Sequence, residues 1–171
     1  MNMPKQTHAL DSFDLAILDL LQRDNRMPQR EIAERVNLSA PAVQRRIRRL
    51  EDSGVIARQV AVLDPAKVGR PLMLMVQVQL ESEKPELRAP LYRRIAAEPA
   101  VQQCYSVTGE TDYLLVITLP SMEEYDALAR RLFEGDDNVR HFKTSVVLRR
   151  LKYGLQLPVL EEDAGPPPPA R

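Results

Sequence analysis

The stretch Asn37-Leu38-Ser39-Ala40-Pro41-Ala42-Val43-Gln44-Arg45-Arg46-Ile47-Arg48-Arg49-Leu50-Glu51-Asp52-Ser53-Gly54 decides how the chain is read. From about Ala40 the spacing predicts a helix, because Val43, Ile47 and Leu50 share one stripe at i, i+4 and i+7. At roughly 100° per residue, Gln44, Arg45, Arg48 and Arg49 fall on the far side, with Arg46 flanking the stripe. Ser39 is placed to cap the helix by accepting from a free N–H of the first turn. Pro41 is tolerated there because N–H groups of that turn have no intrahelical partner. Gly54 offers the left-handed conformation that ends a helix. The result is a short helix with a buried apolar edge and a cationic outer face.

Such a face alone is equally a solvated surface, and the segment before it tilts the reading. Pro28 to Val36 reads as a second short helix with Ile32, Ala33 and Val36 inward. Asn37 sits at the turn, where a positive φ is needed and Asn tolerates it well. Leu38 plugs the corner. Helix, tight turn and capped Arg-rich helix make a helix-turn-helix, whose second helix enters the major groove of DNA. Upstream, Leu10-Asp11-Ser12-Phe13-Asp14-Leu15 opens a third helix. Asp11 caps it, Asp14 reaches back as in a capping box, and Leu10 with Leu15 has the spacing of a hydrophobic staple. Ile17, Leu18 and Leu21 continue the stripe, and the helix fades around Arg23 to Asn25.

The 171 residues have room for one large or two small domains. Lysine plus arginine and aspartate plus glutamate each number 24, so the net charge is zero and any hold on nucleic acid must come from a local basic face. A single cysteine excludes an internal disulfide framework and suits a reducing compartment. No apolar run approaches the roughly 20 residues of a membrane span. Met1 to Ala9 lacks the apolar core of a signal peptide, so a cytoplasmic location is expected. Glu161 to Arg171, acidic and then rich in proline, reads as a solvated tail.

After Gly54 the helical spacing stops. Val55-Ile56 and Val60-Ala61-Val62 suggest short strands, a small wing or a linker. Asp64-Pro65 and Gly69-Arg70-Pro71 mark turns and the domain boundary. From Leu72 the residues alternate: Leu72, Leu74, Val76, Val78 and Leu80 on one face, Met73, Met75, Gln77 and Gln79 on the other. The first face packs on helices; the second suits a partner surface or a pocket. Leu87, Leu91 and Ile95 predict a helix whose regular part begins near Ala89, given Pro90. Val101 to Thr108 and Tyr113 to Leu119 read as strands around the turn-prone Gly109-Glu110-Thr111-Asp112. Ser121 with Glu124 forms a capping box before the stripe of Tyr125, Leu128 and Leu132. Phe142, Thr144, Val146 and Leu148 alternate in a last strand.

The expected fold is therefore α+β: a helix-turn-helix, winged-helix-like domain over 10–63, a linker over 64–71, and a ferredoxin-like βαββαβ domain over 72–157. A disordered Pro-rich tail completes the chain over 158–171. Catalytic and metal chemistry find no support. No glycine-rich phosphate loop is present, and His8, His141 and Cys104 have no metal-ligand spacing. Cys104 on a strand reads as a small packed residue rather than a nucleophile.

With both halves read, the chain resembles the Lrp/AsnC family of transcription regulators over about residues 10 to 157. The resemblance rests on Leu10-Asp11-Ser12-Phe13-Asp14 with Ile17-Leu18, on Arg26, Glu31-Ile32-Ala33, Val36 and Leu38-Ser39, and on Val43, Arg45-Arg46-Ile47, Leu50-Glu51 and Gly54-Val55-Ile56. Val101, Cys104-Tyr105, Val107-Thr108-Gly109 and Asp112-Tyr113-Leu114-Leu115 extend it through the second half. It implies a DNA-binding domain joined by a linker to an effector domain, homodimers assembling to tetramers or octamers, no cofactor, and an amino-acid effector bound in clefts between effector domains. Ser39, Ala40, Pro41, Gln44, Arg45, Arg46, Arg48 and Arg49 are the expected contacts to double-stranded DNA. Thr108, Gly109, Glu110, Thr111, Asp112, Tyr113 and Thr144 are the expected effector residues. Pro28 stands where the family commonly has a Ser or Thr cap, and Asn37 replaces the usual turn Gly. The alternatives are an effector-independent architectural DNA-binding protein, or a tetrapyrrole decarboxylase-like enzyme on the same scaffold, for which only His141 is available in the second half.

Overall fold

The computed structural model describes residues 9–160, so most of the expected tail and the first eight residues lie outside the described residues. The chain divides into two compact units, one running to Ala61 and resuming at Tyr153, the other spanning Val62–Lys152. Residues 153–157, expected in the second domain, thus group with the first: Gln22 accepts from the Leu157 amide at 2.7 Å and donates to its carbonyl at 3.0 Å.

In the first unit, helices α1 (Ser12–Arg23), α2 (Gln29–Arg35) and α3 (Ala40–Asp52) enclose one core. Ile17, Ile32, Ala33, Val36, Val43 and Ile47 form it, the positions the helical spacing selects, with Leu21, Leu38 and Ile56 packed at its rim. The α1 capping box closes with aspartate in the third position: Asp14 N–H donates to Asp11 Oδ1 at 2.9 Å, and Asp11 N–H to Asp14 Oδ2 at 3.2 Å. Asn37 turns the chain between α2 and α3 at φ 54°, and Gly54 ends α3 at φ 80°. Ser39 accepts from the Ala42 N–H at 3.4 Å, whereas Pro28 before α2 gives no side-chain cap. The expected strands at 55–56 and 60–62 do not form. A strand exists only where a second edge satisfies its amides and carbonyls, and no such ladder is offered to these runs.

The second unit is a four-stranded antiparallel sheet in the order β2-β3-β1-β4 with two helices, the ferredoxin-like arrangement. Its elements are β1 (Leu72–Leu80), α4 (Pro85–Ala97), β2 (Val101–Ser106), β3 (Tyr113–Leu119), α5 (Met122–Ala129) and β4 (Val139–Val146). A π-turn over Arg130–Glu134 prolongs α5. Leu74, Val76, Val78 and Leu80 are buried on the helix side of β1 with Leu91, Ile95, Leu115, Ile117, Leu128 and Phe133. A 3₁₀ turn at Ala66–Val68, closed by Gly69 at φ 77°, occupies the expected linker.

Three boundaries differ from expectation. Helix α4 begins at Pro85, which needs no N–H in the first turn, and it runs through Pro90, leaving Leu87 exposed rather than on the buried stripe. Strand β2 ends at Ser106, so Thr108 belongs to the loop. Strand β4 ends at Val146, and Leu148 is 95% exposed beyond it. Alternation persists in the sequence there without a neighbouring strand to make it structural.

Candidate nucleic-acid interface and effector cavity

Helix α3 buries Val43, Ile47 and Leu50, which fixes the direction of everything else on it. Gln44, Arg45 and Arg48 lie exposed on the outer face, with Ser39 and Pro41 exposed at its N-terminal end. Ala40 is turned partly inward against the core, so it is not an open contact. Among the described residues Arg45 and Arg48 make no ion pair. Their guanidinium groups face water and are available to phosphate oxygens or guanine edges.

Arg46 and Arg49 differ from the expected free contacts. Arg46 Nη1 donates to Asp11 at 2.7 and 2.9 Å and to Asp14 Oδ1 at 2.7 Å, and the guanidinium lies 5.4 Å from the Phe13 ring centroid. Arg49 Nη2 donates to both oxygens of Asp14, at 2.7 and 2.6 Å. Both arginines are therefore tied to the start of α1. Spacing puts Arg49 opposite the apolar stripe, but α1 brings a buried carboxylate into its reach, and attraction between charges this close overrides the wheel.

Asp11 is held below its usual carboxyl value of 3.8, first by the Asp14 N–H and then by Arg46, while the two aspartates raise the Arg46 guanidinium. A carboxyl lowered by folding contributes stability that is fully present above its unfolded value. That contribution disappears as pH falls through the still lower folded value, so the group stays charged throughout the neutral range.

In the second unit a cavity of about 300 Å³ opens where β1 ends and the β2–β3 loop turns. Thr108, Gly109, Thr111, Asp112 and Tyr113 line it, together with Leu80, Glu83, Arg88, Ser106 and Val107. Gly109 takes φ 121°, a conformation side-chain-bearing residues avoid. The loop is anchored to β1: Asp112 N–H donates to the Val78 carbonyl at 2.9 Å, and Asp112 Oδ2 accepts from the Leu80 N–H at 2.7 Å. The Thr111 hydroxyl donates to the same Val78 carbonyl at 2.9 Å. Burial pushes the Tyr113 hydroxyl up, with Arg88 opposing and Asp112 reinforcing the shift, so both charges are felt at one wall of the cavity.

Two expected effector residues fall elsewhere. Glu110 is exposed and forms no part of the wall. Thr144 pairs with Val76 across β1, on the core face, and its hydroxyl shares a short hydrogen bond with the Tyr125 hydroxyl of α5. Strand alternation puts it on the face of Phe142, which packs against the core, and this signal was available in the sequence. Arg88 and Glu83 were missed because they precede or open α4, about 20 residues from the loop they face, and nothing in local spacing links them to it. Cys104 is partly buried against the core of the second unit, and burial raises its thiol. His141 is exposed on β4, and among the described residues no cluster has the geometry to hold a metal.

Residues 10–57 match the profile of winged helix-turn-helix DNA-binding domains, and residues 73–157 match that of the Lrp/AsnC ligand binding domain. An uncharacterised HTH-type transcriptional regulator of Sinorhizobium fredii is 38% identical over 150 residues, covering 88% of this chain and 89% of the relative. The glutamate uptake regulatory protein of Zymomonas mobilis is 35% identical, covering 89% and 92%. Among solved structures, a transcriptional regulator of Neisseria meningitidis in complex with L-Met superposes with a TM-score of 0.83 at 30% identity, covering 88% of this chain and 97% of that one.

Proposed function

The chain belongs to the Lrp/AsnC family of transcription regulators, and from that premise we propose that an amino acid seated in the cavity beside Gly109 modulates its DNA binding. The observation that carries this reading is the presence of Arg88 and Asp112 on the walls of one polar cavity. A zwitterion entering a cleft loses hydration at both ends, so each charge needs a counterpart. Arg88 meets the α-carboxylate, Gly109 lets backbone approach without a Cβ, and the Asp112 oxygen not bonded to Leu80 accepts from the α-ammonium. The likeness to a regulator bound to L-Met supports the class of ligand. On DNA, Gln44, Arg45 and Arg48 of α3 make the direct contacts, with Ser39 and Pro41 close to the backbone. The protein acts in the cytoplasm as a regulator rather than an enzyme.

Calorimetric titration with the twenty amino acids tests the cavity on wild type, Arg88→Gln and Asp112→Asn. The asparagine keeps an oxygen for the Leu80 N–H while removing the charge. Each variant is expected to weaken the wild-type ligand by about 1.5–3 kcal/mol, roughly ten- to a hundredfold. A ligand that binds both variants as tightly as wild type sits elsewhere. If no amino acid binds wild type, the effector-independent architectural reading replaces this one.

Assembly as homodimers, and from them tetramers or octamers, is supported by the outer face of the sheet. There Met75 pairs with Val116, and Gln77 with Leu114, which in turn pairs with Tyr105. Met75 and Tyr105 are exposed and Leu114 and Val116 half-buried, so apolar side chains flank exposed Gln77 on this face. Met75→Glu with Val116→Glu is expected to lower the sedimenting mass of the full-length protein at tens of micromolar. An unchanged mass in the folded double variant removes this face from the assembly.

A further inference from the structure

The two aspartates at the start of α1 engage half of the arginines on α3. Asp14 is 1% exposed, and its carboxylate takes three short bonds from Arg46 and Arg49 besides the Asp11 N–H. Asp11 takes two more from Arg46. We propose that Asp14, assisted by Asp11, is a specificity-determining positioning residue for DNA binding: it withholds Arg46 and Arg49 from phosphates and leaves Arg45 and Arg48 to make the contacts.

Every phosphate a protein neutralises strengthens its hold on any duplex, whatever the sequence. Phosphate contacts carry register and affinity but no base information, so four free arginines would tighten binding to every duplex alike, and competing random DNA far outnumbers the specific site. Pairing two of them internally lowers that non-specific term and leaves base reading to the outer face. The same bonds also clamp α3 against α1 from one side, which fixes the angle at which Gln44, Arg45 and Arg48 are presented. Phosphate cannot easily win the paired arginines, because taking Arg49 would strip a buried carboxylate of one of its two counter-charges.

The test uses the full chain with Asp14→Asn and, separately, Arg46→Gln. Fluorescence anisotropy measures affinity across a range of salt for two duplexes of equal length. One is selected from a random pool by the wild-type protein, and the other is of random sequence. Asp14→Asn is expected to steepen the dependence of log affinity on log salt by about one per protomer. It should also tighten binding to the random duplex about fivefold or more, and by loosening the clamp between α1 and α3 it should lower the ratio of selected to random affinity. Arg46→Gln is expected to leave the salt slope unchanged, because Arg46 touches no phosphate. An unchanged slope and ratio in folded Asp14→Asn overturns the proposal, as does a slope lowered by about one in Arg46→Gln. If circular dichroism shows that Asp14→Asn does not fold, the Arg46→Gln slope decides alone.

Discussion

Replacing Arg45 and Arg48 together by alanine is expected to abolish specific DNA binding while the first unit stays folded. Both side chains are exposed on α3 and make no ion pair among the described residues, so their removal breaks nothing inside the protein. Each arginine that reads a base edge bidentately is worth about 1–3 kcal/mol. Removing two together amounts to roughly thirty- to twenty-thousandfold in affinity. The salt dependence should flatten by about one for each phosphate that is no longer neutralised. Arg49 is the wrong partner for this experiment, although its position on the helical wheel recommends it. Its removal would unpair Asp14, and any fall in affinity would report a disturbed α1–α3 packing rather than a lost DNA contact. Anisotropy on the selected duplex, with circular dichroism as the control for folding, gives the answer. Unchanged affinity and salt slope in the folded double variant would move the DNA-binding surface off α3.

Phe133→Ala is expected to carry one of the largest stability losses among side-chain truncations in the core of the second unit. Phe133 is 1% exposed, and its ring centroid lies 5.1 Å from that of Phe142. Truncating a buried phenylalanine costs about 3–5 kcal/mol, partly lost transfer energy and partly the cavity left behind. A domain of ordinary stability has only about 5–15 kcal/mol in all, so this one change brings the unit close to unfolding at moderate temperature. Urea unfolding followed by near-ultraviolet circular dichroism measures it. A loss under about 1 kcal/mol would mean that neighbouring side chains collapse into the gap.

Periodicity carried most of the fold into the sequence. The stripe of Val43, Ile47 and Leu50, the alternation from Leu72 to Leu80, and the caps at Asp11, Ser39 and Ser121 are each enforced by local physics and reappear in place. Failures cluster where the deciding neighbour is distant. Leu148 alternates with Val146 but has no strand beside it, and Val60 to Val62 has strand-forming residues but no ladder. Arg49 looked free because the wheel describes one helix, whereas Asp14 lies on another. The loop from Thr108 to Asp112 was legible by resemblance and by its glycine. Arg88, on the facing helix, became visible only once β1 and α4 were brought together.

The central place of β1 also sets an order of events as the chain is made. Its two edges are completed by β3 and β4, so Leu74 finds Ile117 first and waits for Val146. Pairings between residues so far apart in sequence form slowly, and one edge of the strand stays open until the last partner arrives. The first unit, by contrast, assembles its three helices from residues before Ile56, largely from neighbours. During synthesis a folded DNA-binding head therefore emerges ahead of an effector domain whose central strand still has a bare edge. Slow translation near β4 would lengthen the time for which that open edge can pair with another chain.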